Sequence, residues 1–216
     1  MDASELCEVV AVAADVLKKM MSDSNEIIFS LGGDQSRNWN SSVQMGWHDV
    51  LTAVITDIHK LSGLCSHFEE VLADVLEANS EMTRLDFLWA FITTLNSTCL
   101  TYRAAFQTFV VAVQATVTSY DTSLANDPTE AAALRLVDTY PATVLAARVS
   151  LDFLTEIWGK LECDVAELML WARRRCIKDD QNLPSILQSH RKLGLSIYFC
   201  NARMLDSFSE TLIASE

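Results

Sequence analysis

Four histidines, six cysteines and 29 carboxylates are the side chains in this 216-residue chain best suited to chemistry. Their spacing argues against most of it. A two-metal site inside a helical bundle needs Glu-x-x-His pairs on two helices. None of His48, His59, His67 and His190 has an acid three residues before it. There is no His-Glu-x-x-His run, and Cys7, Cys65, Cys99, Cys163, Cys176 and Cys200 lack zinc spacing. The glycine pair Gly32-Gly33 leads into Asp34 rather than the Gly-Lys-Ser/Thr of a phosphate cradle, and no Gly-x-Ser-x-Gly elbow occurs. The reading is therefore non-enzymatic, with no catalytic residue, metal or cofactor assigned.

Charge supplies the stronger signal. Against a formal net charge of −13, six of the sixteen basic residues fall within twenty positions: Arg173, Arg174, Arg175, Lys178, Arg191 and Lys192. Cations at a helix C-terminus complement its partial negative charge, which accounts for residues 173–178. Arg191 and Lys192 lie about two turns into the next expected helix, beyond that explanation. The cluster is a candidate site for an anion or an acidic partner. Trp171 adjoins it, where an exposed indole could stack on a partner, although packing is the favoured role. Trp39, expected in a loop, is a candidate plug for a bundle end or an interface anchor. His190 sits among Ile186, Leu193 and Ile197, as a core-edge histidine bonded to a carbonyl or side chain would.

The elements that position these residues follow from an apolar residue every three or four positions. One seam runs Trp47, Val50, Val54, Ile58, Leu61, Cys65, Phe68, Leu72 and Val75. Another runs Ala147, Leu151, Leu154, Trp158, Leu161, Val165, Leu168 and Ala172. A third, from Leu85 through Cys99, Tyr102, Phe106, Phe109 and Val113 to Tyr120, predicts a helix over 81–120. Period-2 alternation is nowhere sustained, and 6 glycines with 3 prolines disfavour turn-rich folds. The expected fold is all-α: a single domain over 1–216, built as an elongated antiparallel bundle of about five helices. Helices are expected over 3–21, from Ser41 or Ser42 to about 78, over 81–120, from Asp127-Pro128 to about 178, and from Asn182-Leu183-Pro184 to about 214. Pro141 should kink or break the fourth.

The stretch between Phe87 and Tyr120 carries Arg103 as its one charged residue, which predicts the central helix of the bundle. Its asparagine, glutamines and seven threonines oppose a membrane span. The acidic balance disfavours nucleic acid. An acidic N-terminus without a basic leader region and with unpaired cysteines favours a cytoplasmic or nuclear setting.

These readings converge on a helical adaptor or scaffold that binds another protein through a groove or through the basic end. The alternative is a carrier holding a lipid or other apolar ligand among Tyr102, Phe106, Phe109 and His190, with an anionic headgroup at the basic end. A seam left uncovered would join two copies as a homodimer.

Overall fold

The computed structural model describes residues 3–31, 33–77, 89–90, 100–120, 128–178, 183–194 and 196–214. Every element among them is helical: α1 (Ala3–Ser30), α2 (Gly33–Trp39), a π-helical turn (Asn40–Gln44), α3 (Met45–Glu77), α4 (Tyr102–Thr118), α5 (Pro128–Ser150), α6 (Phe153–Lys178), α7 (Ser185–Leu193) and α8 (Ile197–Ile213). No strand occurs among the described residues. The seams explain why. Along α3, Val50, Val54, Ile58, Leu61, Cys65, Phe68 and Leu72 are all buried, as are Leu154, Trp158, Leu161, Val165 and Leu168 along α6.

Several boundaries differ from expectation, each for a local reason. The first helix runs on to Ser30, and the segment expected as a loop forms α2 and the π turn. The buried positions there are Trp39, Val43 and Trp47, spaced four apart. That spacing outruns the 3.6-residue α turn, and a π turn keeps all three on one face. Ser41, expected as an N-cap, instead donates to the Asn38 carbonyl at 3.1 Å.

Pro141 lies inside α5, and the interruption falls ten residues later, at Leu151 and Asp152. Tyr102 explains the position: its hydroxyl donates to the Leu151 carbonyl at 3.1 Å, while Arg103 pairs with Asp152 at 2.8 Å. Gly194, at φ +76°, ends α7 in the left-handed conformation that glycine adopts without a Cβ penalty. Beyond that break the buried stripe shifts. Leu193 is 69% exposed, and Tyr198, Ala202, Leu205 and Phe208 take over the inward face of α8.

Of the helix expected over 81–120, residues 81–88 and 91–99 lie outside the described residues, as does the break expected at Asn79 and Ser80. Its described C-terminal part starts afresh at Tyr102 rather than continuing from Leu100. The cause is Asp57, a fully buried carboxylate on α3 that accepts the Tyr102 N–H at 2.9 Å and the Thr101 hydroxyl at 3.2 Å. A carboxylate at an N-terminus satisfies an orphan donor and faces the positive end of the helix dipole. Nor is α4 enclosed on all sides, as a charge-free helix should be: Gln107, Val111, Gln114 and Thr118 are exposed.

The chain gathers into two compact units, each assembled from distant segments. One comprises Glu8–Asp57, Leu100–Asp152 and Thr211–Glu216. Within it α4 and α5 run antiparallel, tied at one end by the Tyr102 and Arg103 contacts. At the other end Tyr120 and Tyr140 both pack on Trp39, with ring centroids 6.0 and 5.1 Å away. The other unit comprises Met1–Cys7, Ile58–Cys99 and Phe153–Glu210. There α8 runs antiparallel to α3. His59 lies 3.2 Å from the Ser209 hydroxyl, Ser62 donates to Asp206 at 2.6 Å, and Phe68 meets Tyr198 at 5.0 Å.

Candidate functional site: the cationic corner of α6 and α7

The segment 173–192 spans the end of α6 and nearly all of α7, within one unit. Arg174 is exposed in the last turns of α6. Arg173, Arg175 and Lys178 continue that helix, and their side chains lie outside the described residues. Arg191 and Lys192 occupy the last turn of α7 and are exposed, followed by the exposed Leu193 and Gly194. Because Gly194 ends the helix there, the helix-dipole explanation expected to stop at residues 173–178 applies to these two cations as well. Arg174, Arg191 and Lys192 form no ion pair among the described residues. By contrast Lys19, Arg37, Arg103 and Lys160 each hold a carboxylate within 2.8–3.1 Å.

The corner between α7 and α8 is held from beneath by Glu69 of α3. His190 Nε2 lies 2.9 Å from Glu69 Oε1, with side-chain exposures of only 10% and 15%. The same carboxylate accepts the Ser196 N–H at 3.0 Å and the Ser196 hydroxyl in a very short contact. Ser196 Oγ in turn accepts the Tyr198 N–H at 3.1 Å, which makes Ser196 the N-cap of α8. His190 is thus the core-edge histidine expected, bonded to a neighbouring side chain. Its two neighbours in sequence, Arg191 and Lys192, are thereby turned outward.

Ser196, His190 and Glu69 are the residue types of a hydrolase triad in the wrong order. A nucleophilic serine needs the imidazole against its hydroxyl, with the carboxylate behind the imidazole. Here the carboxylate stands between the two, and the serine oxygen is engaged in capping. The arrangement anchors a helix corner, with no imidazole against the Ser196 hydroxyl.

A second polar group lies deeper in this unit. The Tyr198 hydroxyl donates to Asp164 at 2.6 Å, and Lys160 approaches the same oxygen at 3.1 Å. Burial, reinforced by that carboxylate, pushes the Tyr198 phenol far above its usual range. Cys65 is fully buried, and burial pushes its thiol up to about 12. It is a small core hydrophobe and not a nucleophile. Among the described residues no group of three or more His, Cys, Asp or Glu could hold a metal ion. No helix there is long and apolar enough to cross a membrane.

Both tryptophans singled out from the sequence take the packed alternative of their readings, and the loop placement of Trp39 is corrected. Trp39 is in α2 and fully buried, its Nε1 donating to Ser24 Oγ at 3.0 Å, so it plugs the core and is no exposed anchor. Trp171 retains 7% exposure and presents no open indole face beside the arginines. Both follow from the size of the ring: an indole on the inward stripe of a helix buries more apolar area than any smaller residue there.

The residues expected to line a ligand space have other partners. Phe106 and Phe109 pack on Trp47 at 6.5 and 6.3 Å and on each other at 6.5 Å. Gly46 lets that cluster close, since a Cβ there would stand 3.0 Å from the Phe109 ring. Tyr102 is bound to Leu151, and His190 belongs to the other unit, bound to Glu69. A helical groove does exist in the Glu8–Asp57 unit. It is an open cleft of about 220 Å³ between α1 and α3, floored by Met21, Trp47 and Leu51 and edged by the Asn25–Gln44 hydrogen bond.

Glu69, Ser196 and Asp57 were not singled out from the sequence. Gly194 two residues before Ser196 is the C-cap and N-cap signature of a helix corner and could have located it. A carboxylate arriving from more than a hundred residues away leaves no local trace. No protein-family model, curated protein or solved structure matches this chain.

Proposed function

We propose that this chain is a non-enzymatic protein-interaction module that captures an acidic partner at the basic residues of α6 and α7, centred on Arg191 and Lys192 at the end of α7, in the cytoplasm or nucleus. One observation carries the reading. Arg191, Lys192 and Leu193 are consecutive and exposed, and among the described residues neither cation has an ion pair, although the chain bears a net charge of −13. A carboxylate brought to these two cations gains charge-assisted hydrogen bonds, and Leu193 offers apolar area beside them. The rigid mount beneath, Glu69 with His190 and Ser196, lowers the ordering cost that a mobile loop would incur on binding.

Replacing Arg174, Arg191 and Lys192 together by glutamine tests this. Glutamine removes the charges without placing acids at helix C-termini, so the melting temperature should stay within a few degrees. Affinity capture from native extract, read by mass spectrometry, should lose its acidic partners in the variant. An identical set of captured proteins would refute the assignment.

A further inference from the structure

The exposed face of α4 combines with that of α5 to give a surface unlike the rest of the chain. Within α4 only Arg103 is charged, yet its outward positions Gln107, Val111 and Gln114 are exposed, with Val111 at 57%. On α5 the exposed positions after Thr139 are Ala142, Leu145, Ala146 and Val149, an i, i+3, i+4, i+7 stripe without a polar side chain. Leu145 is 50% exposed and Val149 58%. Such a stripe normally faces a partner helix.

The antiparallel register sets the two faces side by side. Tyr102 meets Leu151 and Arg103 meets Asp152, so Gln107 and Val111 lie level with Ala147 and Thr143, on the stretch of α5 that carries the stripe. The Arg103–Asp152 ion pair bounds the surface at one end, and the exposed Asp138 and Arg135 bound it at the other. An uncharged centre with a charged rim is the anatomy of a protein interface.

We propose that this face is a self-association surface, on which a second copy of the chain packs about a two-fold axis. Two quantities favour a second copy. At 1.5 Å per residue α4 is about 26 Å long, and a neighbour ~9 Å away makes the two-helix face about 20 Å wide, a flat projection of ~500 Å² that is well over half of the ~800 Å² each partner supplies to a standard interface. Each copy also carries −13, so contacts over ordinary surface bring like charges together, whereas this face brings none. A two-fold axis sets the patch against itself: Leu145 and Val149 of one copy enter the gaps beside Ala142 and Ala146 of the other, in four-helix packing. The inference uses a different unit from the cationic corner and does not rest on it.

Sedimentation equilibrium across about 1–200 μM protein, a range that brackets micromolar affinity, tests the proposal. The apparent mass should rise from 24.0 kDa toward twice that value, and more readily at higher salt, which screens the repulsion. The double variant Val111→Glu, Leu145→Glu should remain at 24.0 kDa throughout, with an unchanged circular dichroism spectrum. Val12→Glu, at another exposed apolar position on α1, should dimerise like the parent. A parent that is monomeric at every concentration would overturn the proposal. So would a double variant that associates as the parent does, or a Val12→Glu variant that fails to associate.

Discussion

Replacing Glu69 by alanine removes one carboxylate and strands three donors at once. These are the His190 ring, the Ser196 N–H and the Ser196 hydroxyl, on residues retaining only 8% and 2% exposure. A buried hydrogen bond to a charged group is worth ~1.5–3 kcal/mol, and each donor left buried without a partner costs ~1–3 kcal/mol. These costs overlap, since some water reaches a side chain left 15% exposed, so the expected loss is about 3–5 kcal/mol. At 2–4 °C per kcal/mol for a chain of this length, the melting temperature falls by roughly 6–20 °C. Urea unfolding followed by circular dichroism measures the free energy directly. A His190→Ala change in the Glu69→Ala background should add little, giving a coupling of about 1–3 kcal/mol in the double-mutant cycle. A Glu69→Ala protein within about 1 kcal/mol of the parent, or additive single and double variants, would refute the view that this carboxylate pins the α7–α8 corner.

Three further outcomes follow from individual contacts. Gly194→Ala should cost ~1–2 kcal/mol from backbone conformation alone, since nothing lies within 4 Å of the added Cβ, and Gly194→Asn should cost less; urea midpoints measure both. Asp57→Ala removes the carboxylate that accepts the buried Tyr102 N–H and should cost about 2–3 kcal/mol, with hydrogen exchange accelerated at the start of α4. The Cys65 thiol should resist alkylation at pH 8 while the exposed Cys7 and Cys163 react, as peptide mapping would show. Because burial raises the folded value of Cys65 above 9.0, its stabilising contribution is complete below about pH 9 and is lost as pH climbs toward about 12, which alkaline unfolding would reveal.

The helical class was legible because it depends on periodicity. Tyr102, Phe106, Phe109, Val113, Thr116 and Tyr120 are each buried at the positions their spacing assigns. Helix ends were less legible, because the decisive groups come from elsewhere in the chain. Asp57 starts α4, Tyr102 fixes the interruption at Leu151, and neither choice shows in the local residues. Absence of charge proved a poor guide to enclosure: α4 is uncharged because its outer face is alanine, threonine, glutamine and valine, not because neighbours surround it. The basic cluster was visible as charge density, and the structure adds which cations point outward. Composition supplied no means of seeing that Gly194 ends α7, which puts Arg191 and Lys192 in a last turn where cations complement the helix dipole.

The most direct test of the cationic corner uses a fluorescent helical peptide alternating Glu and Leu turns, titrated with the full chain and followed by anisotropy. Raising salt from about 50 to about 500 mM, which shortens the screening length severalfold, should weaken binding at least tenfold. The Arg174→Gln, Arg191→Gln, Lys192→Gln protein should show no binding at either salt. Binding that is insensitive to salt and equal in the variant, or no binding by the parent at low salt, would contradict the account.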